Sequence, residues 1–369
     1  MKFVISRDAL ITPLSLVAGV VERRQTLPIL ANVQLSIESD LLTVTGTDLE
    51  VELQGRIPLN SSAEVVGEIT VPGRKLLDIC KALPEGSDLQ FSLSEDKLIL
   101  KSGRSRFTLS TLPASDFPSV DHDSDGQGFS VLQADLKHMI DRTSFAMAQQ
   151  DVRYYLNGML WELTSEALRL VATDGHRLAM CTLKSDAIGD VKSSQVIVPR
   201  KGVLEMSRLL GGEAEEAQIS IGSNHIRVAT SDYTFTSKLI DGKFPDYERV
   251  LPRNSSKEVI GDRNELRQAF TRTAILSNEK YRGIRVTLSD NQLTIVANNP
   301  EQEEAKEVVG VDYQGEGLEI GFNVNYLVDV LTVLNTERVK IHLSDANSSA
   351  LLEEAEDGDS MYVVMPMRL

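Results

Sequence analysis

Hydrophobic and polar residues alternate with period two along several short stretches, among them Leu89-Gln90-Phe91-Ser92-Leu93 and Gln218-Ile219-Ser220-Ile221, which predicts half-buried β-strands. Elsewhere the apolar positions fall three and four apart. Leu136, Ile140, Thr143 and Met147 predict an amphipathic helix over 133–150. The same reading gives first helices near 7–24, 133–150 and 262–276, and second helices near 73–83, 199–210 and 322–335. Leu76 and Leu77, Leu204, and Leu327, Val330 and Leu331 are expected to be the core faces of the second set. Pro13 lies inside the first helix, so a kink or a late start is expected there. Short strands between tight turns favour antiparallel pairing over crossovers. The fold class is α+β, with two helices on one face of each sheet system.

The pattern repeats. Leu42-Thr43-Val44-Thr45-Gly46-Thr47-Asp48 is echoed by Leu168-Arg169-Leu170-Val171-Ala172-Thr173-Asp174 and by Leu293-Thr294-Ile295-Val296-Ala297-Asn298-Asn299. Their last residues are 126 and 125 positions apart. Val71-Pro72 with Arg74-Lys75 returns as Val198-Pro199 with Arg200-Lys201, 127 residues on. Phe117-Pro118, Phe244-Pro245 and Met365-Pro366 follow at intervals of 127 and 121. A period this long is a domain rather than a solenoid unit. Breaks fit the polar stretches Asp121-His122-Asp123-Ser124-Asp125-Gly126 and Pro252-Arg253-Asn254-Ser255-Ser256. The expected domains are therefore 1–125, 126–253 and 254–369.

The 369 residues hold 38 basic and 54 acidic side chains, a formal charge of −16. Taken alone, that total argues against a nucleic-acid partner. The charge is unevenly spread, however. The six predicted helices carry 14 Lys and Arg against 9 Asp and Glu, whereas the remainder of the chain carries −21. Helices with their outer faces turned to a common axis would line a positive bore inside an acidic shell, and such a bore attracts phosphates without reading sequence. Solvated helix faces are the plainer reading of the same residues. Only Cys80 and Cys181 carry thiols, which suits two buried free cysteines in a reducing cytoplasm. The opening Met1-Lys2-Phe3-Val4-Ile5-Ser6-Arg7-Asp8 lacks the apolar centre of a secretory signal, and no apolar run approaches the ~20 residues of a membrane span.

Several segments resemble the bacterial DNA polymerase III beta subunit family, the sliding clamps, along the whole chain. They include Gly103-Arg104-Ser105-Arg106-Phe107 through Ala114-Ser115-Asp116-Phe117-Pro118, and Gln150-Asp151-Val152-Arg153-Tyr154-Tyr155-Leu156-Asn157-Gly158-Met159. Others are Ala172-Thr173-Asp174-Gly175-His176-Arg177-Leu178, Phe235-Thr236-Ser237-Lys238 through Phe244-Pro245-Asp246-Tyr247, and Ser277-Asn278-Glu279-Lys280. The terminus Tyr362-Val363-Val364-Met365-Pro366-Met367-Arg368-Leu369 matches as well. The resemblance implies three repeated DNA-clamp domains, a head-to-tail homodimer forming a six-domain ring around double-stranded DNA, and no catalysis. It implies as partners the polymerase III core, other polymerases and an ATP-dependent clamp loader, with no cofactor and no membrane.

The resemblance also implies sites. A partner-peptide pocket would use Leu156, Thr173, Gly175, His176, Arg177 and Leu178 with Pro245, Arg249 and Val250, closed by Val363, Val364, Met365, Pro366, Met367 and Arg368. Val, Leu, Pro and Met make an apolar hole for anchor side chains, and Met adapts to several partners. A dimer seam would set Lys75, Arg104, Arg106 and Phe107 against Ile275, Leu276, Glu301, Glu303 and Glu304. Opposite charges around an apolar centre fix register. DNA would meet Arg24, Arg74, Gln150, Tyr154, Tyr155 and Lys201.

Other chemistry finds little support. No G-x-S-x-G elbow accompanies Asp174-Gly175-His176. His122, His138, His176, His225 and His342 show no metal-ligand spacing. Asp121, Asp123, Asp125 and Gly126 begin like a calcium loop, but its twelfth position would be Leu132. Gly315-Glu316-Gly317 with Gly321 misses the dinucleotide fingerprint, and no P-loop is present. An acidic peptide-binding scaffold and a hydrolase using His176 stay open as rival readings.

Overall fold

The computed structural model describes residues 1–21, 27–120, 126–184, 191–212, 214–253, 255–356 and 358–368. One order of elements (strand, helix, four strands, helix, three strands) occurs three times. The first pass is β1 (Lys2–Ser6), α1 (Arg7–Val20), β2 (Asn32–Glu38), β3 (Leu41–Thr47), β4 (Val51–Pro58), β5 (Gly67–Pro72), α2 (Gly73–Ala82), β6 (Asp88–Ser94), β7 (Lys97–Ser102) and β8 (Ser105–Ser110). The second is β9 (Gln127–Leu132), α3 (Gln133–Thr143), β10 (Gly158–Leu163), β11 (Ala167–Thr173), β12 (Arg177–Lys184), β13 (Ser194–Pro199), α4 (Arg200–Leu209), β14 (Glu216–Ile221), β15 (His225–Ala229) and β16 (Tyr233–Lys238). The third is β17 (Lys257–Asp262), α5 (Arg263–Ala274), β18 (Gly283–Ser289), β19 (Gln292–Asn298), β20 (Glu304–Asp312), β21 (Leu318–Asn323), α6 (Val324–Val333), β22 (Arg338–Leu343), β23 (Ala350–Glu354) and β24 (Ser360–Val364).

Local chemistry explains the boundaries. Ser6, Asp262 and Asn323 cap α1, α5 and α6 by accepting from the backbone N–H groups of Ala9, Glu265 and Asn325. Each such cap is worth about 1 kcal/mol. The repeated Thr-Asp landmark is a turn that closes itself. Asp48 accepts from the N–H groups of Glu50 and Val51 at 2.9 Å, and Asp174 accepts from those of His176 and Arg177 at 2.9 and 3.0 Å. Thr47 and Thr173 donate to the carbonyls of Val51 and Arg177. An acidic side chain that binds backbone two and three residues on folds the turn wherever the sequence places it.

The chain forms two compact units that do not coincide with the three passes: 1–134 with 204–239, and 135–203 with 240–369. In the first unit, a four-stranded sheet runs β1-β6-β7-β8 and an eight-stranded sheet runs β5-β2-β3-β4-β16-β15-β14-β9. Helix α1 lies on β3 and β4 and against α2, burying Leu10, Leu14 and Val17. In the second unit, one twelve-stranded sheet runs β13-β10-β11-β12-β24-β23-β22-β17-β20-β19-β18-β21. There α5 packs on β19, β20 and α6, burying Leu266, Phe270, Leu327 and Leu331. The strand pairs are antiparallel in both units.

The sheets join the passes by one rule. Strand β4 pairs with β16, Val51 opposite Ser237 and Gly55 opposite Tyr233. Strand β12 pairs with β24, Arg177 opposite Val364 and Cys181 opposite Ser360. The third strand of this kind, β20, pairs with β19, and with β17 only through Asp312 and Val311. Among the described residues, Glu304–Gly310 therefore keeps one free edge, and β8, the counterpart of β16 and β24, ends its own sheet.

Three sequence expectations need correction. Of the two alternatives at Pro13, the late start is excluded, because helix α1 starts at Arg7 and runs through the proline. Helix α3 ends at Thr143, before a short 3-10 turn at Ser144–Ala146, so the helix is shorter than the apolar spacing suggested. Leu204 is 37% exposed, and Val203 and Met206 are the buried residues of α4, because the helix starts at Arg200 and that start sets its phase. Tyr154 and Tyr155 occupy a 3-10 turn. The expected break and incomplete calcium loop at 121–125 lie outside the described residues. Cys80 and Cys181 are both free and buried.

Candidate functional site

In the second unit, the turn between β11 and β12 and the end of β24 surround a cavity of about 320 Å³. The β12–β24 pairing sets Leu178 opposite Val363. The pairing continues one step further, because the Met365 N–H donates to the His176 carbonyl at 3.0 Å. That register delivers Leu178, Val363 and Met365 to one wall. Leu178 and Val363 are buried, whereas Met365 is 44% and Val250 43% exposed, so apolar surface stays open at the rim.

Gly175 has φ +89°, and a Cβ there would meet the Arg153 guanidinium at 2.7 Å. The turn thus requires a residue without a side chain, both for its backbone and for the neighbour that crosses it. Arg153 is held in place by Asp151, through Nε at 3.0 Å and Nη2 at 2.9 Å. That contact takes the Asp151 carboxyl down to about 2. Arg177 donates to Asp174 at 3.1 Å, to Asp329 at 2.5 Å and to the Phe145 carbonyl at 2.9 Å. Its guanidinium also stands over the rings of Phe145 and Tyr326, at 5.1 and 4.6 Å. So anchored, Arg177 is wall rather than a free charge.

The floor is a buried cluster of Leu160, Val171, Leu178, Met180, Ile197 and Phe244, with Tyr247 and Val363. Tyr247 donates to Glu162 at 2.6 Å and accepts from Arg169 at 2.6 Å. Burial first, then the Glu162 carboxylate, pushes its phenol up to about 12. A satisfied polar network under an apolar floor holds the aromatic ring in one position.

Ten of the sequence-predicted pocket residues line this cavity: Leu156, Thr173, Gly175, His176, Arg177 and Leu178 from one stretch, and Pro245, Val250, Val363 and Met365 from two others. Arg249 does not. Its side chain is 85% exposed and pairs with Asp246 at 2.7 Å. Val364 is fully buried and faces away, as alternation along β24 demands. Neither Pro366, Met367 nor Arg368 lines the cavity. Met367 donates its N–H to the Gly321 carbonyl at 2.9 Å, and with Arg368 it lines a separate hollow beside Arg285 and Asn347. Sequence reasoning omitted Arg153, Tyr155 and Tyr247, which do line it.

The other predicted residues fall on two strand edges and on helix surfaces. In the first unit, Arg104 and Arg106 are exposed on and beside β8, Phe107 is half-buried, and Lys75 is exposed on α2. In the second unit, Ile275 is 75% exposed, Leu276 is half-buried, and Glu301, Glu303 and Glu304 are exposed at the start of β20. Arg74 is exposed on α2, Gln150 is exposed with φ +56°, and Lys201 lies half-buried on α4. Tyr154 is 56% exposed, and its ring meets that of Tyr155 edge-on at 5.8 Å. Arg24 lies outside the described residues. Several helix cations are structural: Arg142 is buried against Glu354 at 2.9 Å, Arg263 donates to the Leu334 carbonyl at 2.6 Å, and Arg272 forks onto Glu307. The excess of charge on the helices is thus only partly a surface property.

Comparison with known proteins covers the whole chain. Three family models match in order: the N-terminal domain of the DNA polymerase III beta subunit over 1–121, its central domain over 130–246 and its C-terminal domain over 248–368. The beta sliding clamp of Pseudomonas aeruginosa is 63% identical over 369 residues, with 100% of both chains covered. The crystal structure of the DNA polymerase III subunit beta of that organism superimposes with a TM-score of 0.96 at 63% identity and full coverage of both chains. The structure of the same organism's clamp bound to griselimycin gives 0.97, at the same identity and coverage.

Proposed function

The chain belongs to the DNA polymerase III beta subunit family, and from that premise we propose how its geometry makes it a DNA sliding clamp. It is a non-catalytic processivity subunit that encircles double-stranded DNA and tethers the polymerase III core, and other polymerases, in DNA replication. It acts as a homodimer and depends on an ATP-dependent clamp loader to be placed on DNA. No helix among the described residues is long and apolar enough to cross a membrane. The reading assigns the protein to the cytoplasm, and assigns its three clamp domains to 1–125, 126–253 and 254–369.

The observation that carries the reading is the free edge of β20. Each preceding strand of its kind, β4 and β12, pairs with the last strand of the following pass, whereas Glu304–Gly310 of β20 pairs with β19 on one side and with no described strand on the other. Its counterpart edge is β8, the last strand of the first pass. An exposed strand edge invites another chain. Pairing β20 of one copy with β8 of a second is head-to-tail, and two such seams close a ring of six domains. The edges are complementary in charge, with Arg104 and Arg106 beside and on one and Glu301, Glu303 and Glu304 at the start of the other; Lys75 completes the proposed basic side, and Phe107, Ile275 and Leu276 the apolar centre. In this reading Arg24, Arg74 and Lys201 neutralise phosphates of the enclosed duplex without reading bases, and Gln150, Tyr154 and Tyr155 meet it as well.

The cavity beside Gly175 is the docking site for the short clamp-binding peptides of the partners. Leu156, Leu178, Pro245, Val250, Val363 and Met365 supply the apolar hole, and Thr173, His176 and Arg177 the polar rim. Arg249, Pro366, Met367 and Arg368 belong to the approach rather than the hole, and Val364 supports the wall from behind. A fluorescence titration with a labelled peptide ending in a Leu-Phe anchor tests this assignment. Wild-type protein is expected to saturate and Leu178→Asp to bind at least about tenfold more weakly. Equal affinity for both rejects the site.

A further inference from the structure

The fold assembles a ligand set that the spacing of histidines in the sequence conceals. His138 on α3, Cys181 on β12 and Asp359 at the entrance to β24 each place one donor atom within 4.8 Å of the other two. His138 Nε2 and Asp359 Oδ2 are 2.9 Å apart. The Asp359 carbonyl accepts from the Thr182 N–H at 2.8 Å, and Ser360 sits opposite Cys181 in the ladder, so backbone pairing holds the carboxylate beside the thiol.

The set runs from the interior to solvent. Cys181 is fully buried, whereas the side chains of His138 and Asp359 are 37% and 41% exposed, which leaves a path of entry. The nearby guanidinium of Arg142 is matched by Glu354 at 2.9 Å, so the local cation does not cancel the carboxylate of Asp359.

We propose that His138, Cys181 and Asp359 bind one zinc-class divalent cation, with solvent at the remaining position. Nitrogen, thiolate and carboxylate together suit a borderline-soft ion and not calcium or magnesium. Metal–donor distances of about 2.0–2.3 Å require donors within roughly 4 Å of one another. The His138–Asp359 pair already meets this, and rotation of these two part-exposed side chains brings the cation to the sulfur. Binding breaks the sulfur–hydrogen bond, the proton leaves to solvent, and the freed electron pair makes the metal bond. Because the sulfur binds as thiolate, uptake strengthens as pH rises. The bound cation ties α3 to the β12–β24 seam.

The test is a cobalt(II) titration of chelator-treated full-length protein. One equivalent per chain is expected to give a sulfur-to-cobalt charge-transfer band that zinc abolishes. Cys181→Ala is expected to lose the band, and His138→Ala, which alters a part-exposed side chain, to weaken cobalt at least about tenfold. His225→Ala is the control and is expected to behave as wild type. Zinc should raise the melting temperature of the wild type and leave that of His138→Ala unchanged. Absence of the band in the folded wild type, or one-site binding unaltered in His138→Ala, overturns the proposal and leaves a plain His–Asp ion pair beside an inert thiol.

Discussion

The N–H of Met365 donates to the carbonyl of His176 at 3.0 Å, and this bond has a twin in the first unit, where Lys238 donates to the carbonyl of Glu50 at 2.9 Å. The twin turn borders its own hollow of about 450 Å³, lined in part by Thr47, Leu49, Pro118 and Lys238. The backbone is the same, but the side chains are not. Where the proposed peptide cavity has Met365 and Leu178, the twin has Lys238 and Glu52, and Glu52 is buried and accepts from the Val120 N–H at 3.1 Å. A buried carboxylate and an ammonium make a poor hole for apolar anchors. One peptide per chain, two per dimer, is therefore the expected stoichiometry, and calorimetry with an excess of peptide measures it.

Deleting residues 365–369 removes the Met365 wall and its bond to His176. Peptide affinity is expected to fall by about 2 kcal/mol or more, roughly 30-fold, while the dimer persists because both proposed seam edges lie elsewhere. Fluorescence titration and light scattering on the same sample check both halves. Unchanged peptide affinity would remove the terminus from the site.

Gly175→Ala forces a side chain into φ +89° and against the Arg153 guanidinium. A cost of roughly 1–3 kcal/mol is expected, read as a lower urea midpoint. Leu49 occupies the matching turn position with φ +77°, so Leu49→Gly is expected to relieve strain there and not to add it.

Reversing charge at one seam edge tests the ring contact. Arg104→Glu with Arg106→Glu sets two carboxylates against Glu303 and Glu304 across the proposed seam. Like-charge juxtaposition costs several kcal/mol, so dissociation is expected to be at least about 100-fold easier. Adding Glu303→Arg and Glu304→Arg should restore the dimer. Ile275→Ala with Leu276→Ala is expected to weaken it without that rescue, by light scattering at low concentration.

The His138–Asp359 contact gives a pH dependence of defined sign. The Asp359 carboxylate holds His138 above the usual histidine value, opposed by burial and by Arg142 and aided by Glu354. A raised folded-state value contributes stability that is whole below the ordinary value of 6.5 and fades as pH rises through the folded value. Asp359 is held low by the same partner, so its share is lost as pH falls. His138→Gln is thus expected to cost more at pH near 6 than near 9. The pair is partly exposed, so the difference should stay under about 1 kcal/mol. Urea midpoints in the presence of a chelator measure it, and an equal cost at both values contradicts it.

The turns were legible in the sequence because their chemistry is local. Thr47-Asp48 and Thr173-Asp174 bind their own backbone, so the motif and the structure repeat together. The face of α4 was misread because Leu204 is in or out according to where the helix begins, and Arg200 sets that start. Alternation could have separated Val363 from Val364, since neighbours on a strand point oppositely. Arg153 and Tyr155 reach the cavity from an irregular stretch with no period to read. The meeting of His138 with Cys181 and Asp359 depends on strand pairing between residues far apart in the chain, and no local pattern announces it.

The central claim is topological, and retention on DNA of different form tests it most directly. The protein is assembled on nicked circular duplexes with a clamp loader and ATP, freed of the loader by gel filtration, and the DNA is then cut once. The account expects the protein to stay with circles through filtration and to leave after linearisation. Equal retention on circular and cut DNA, or none on circles, contradicts an enclosing ring.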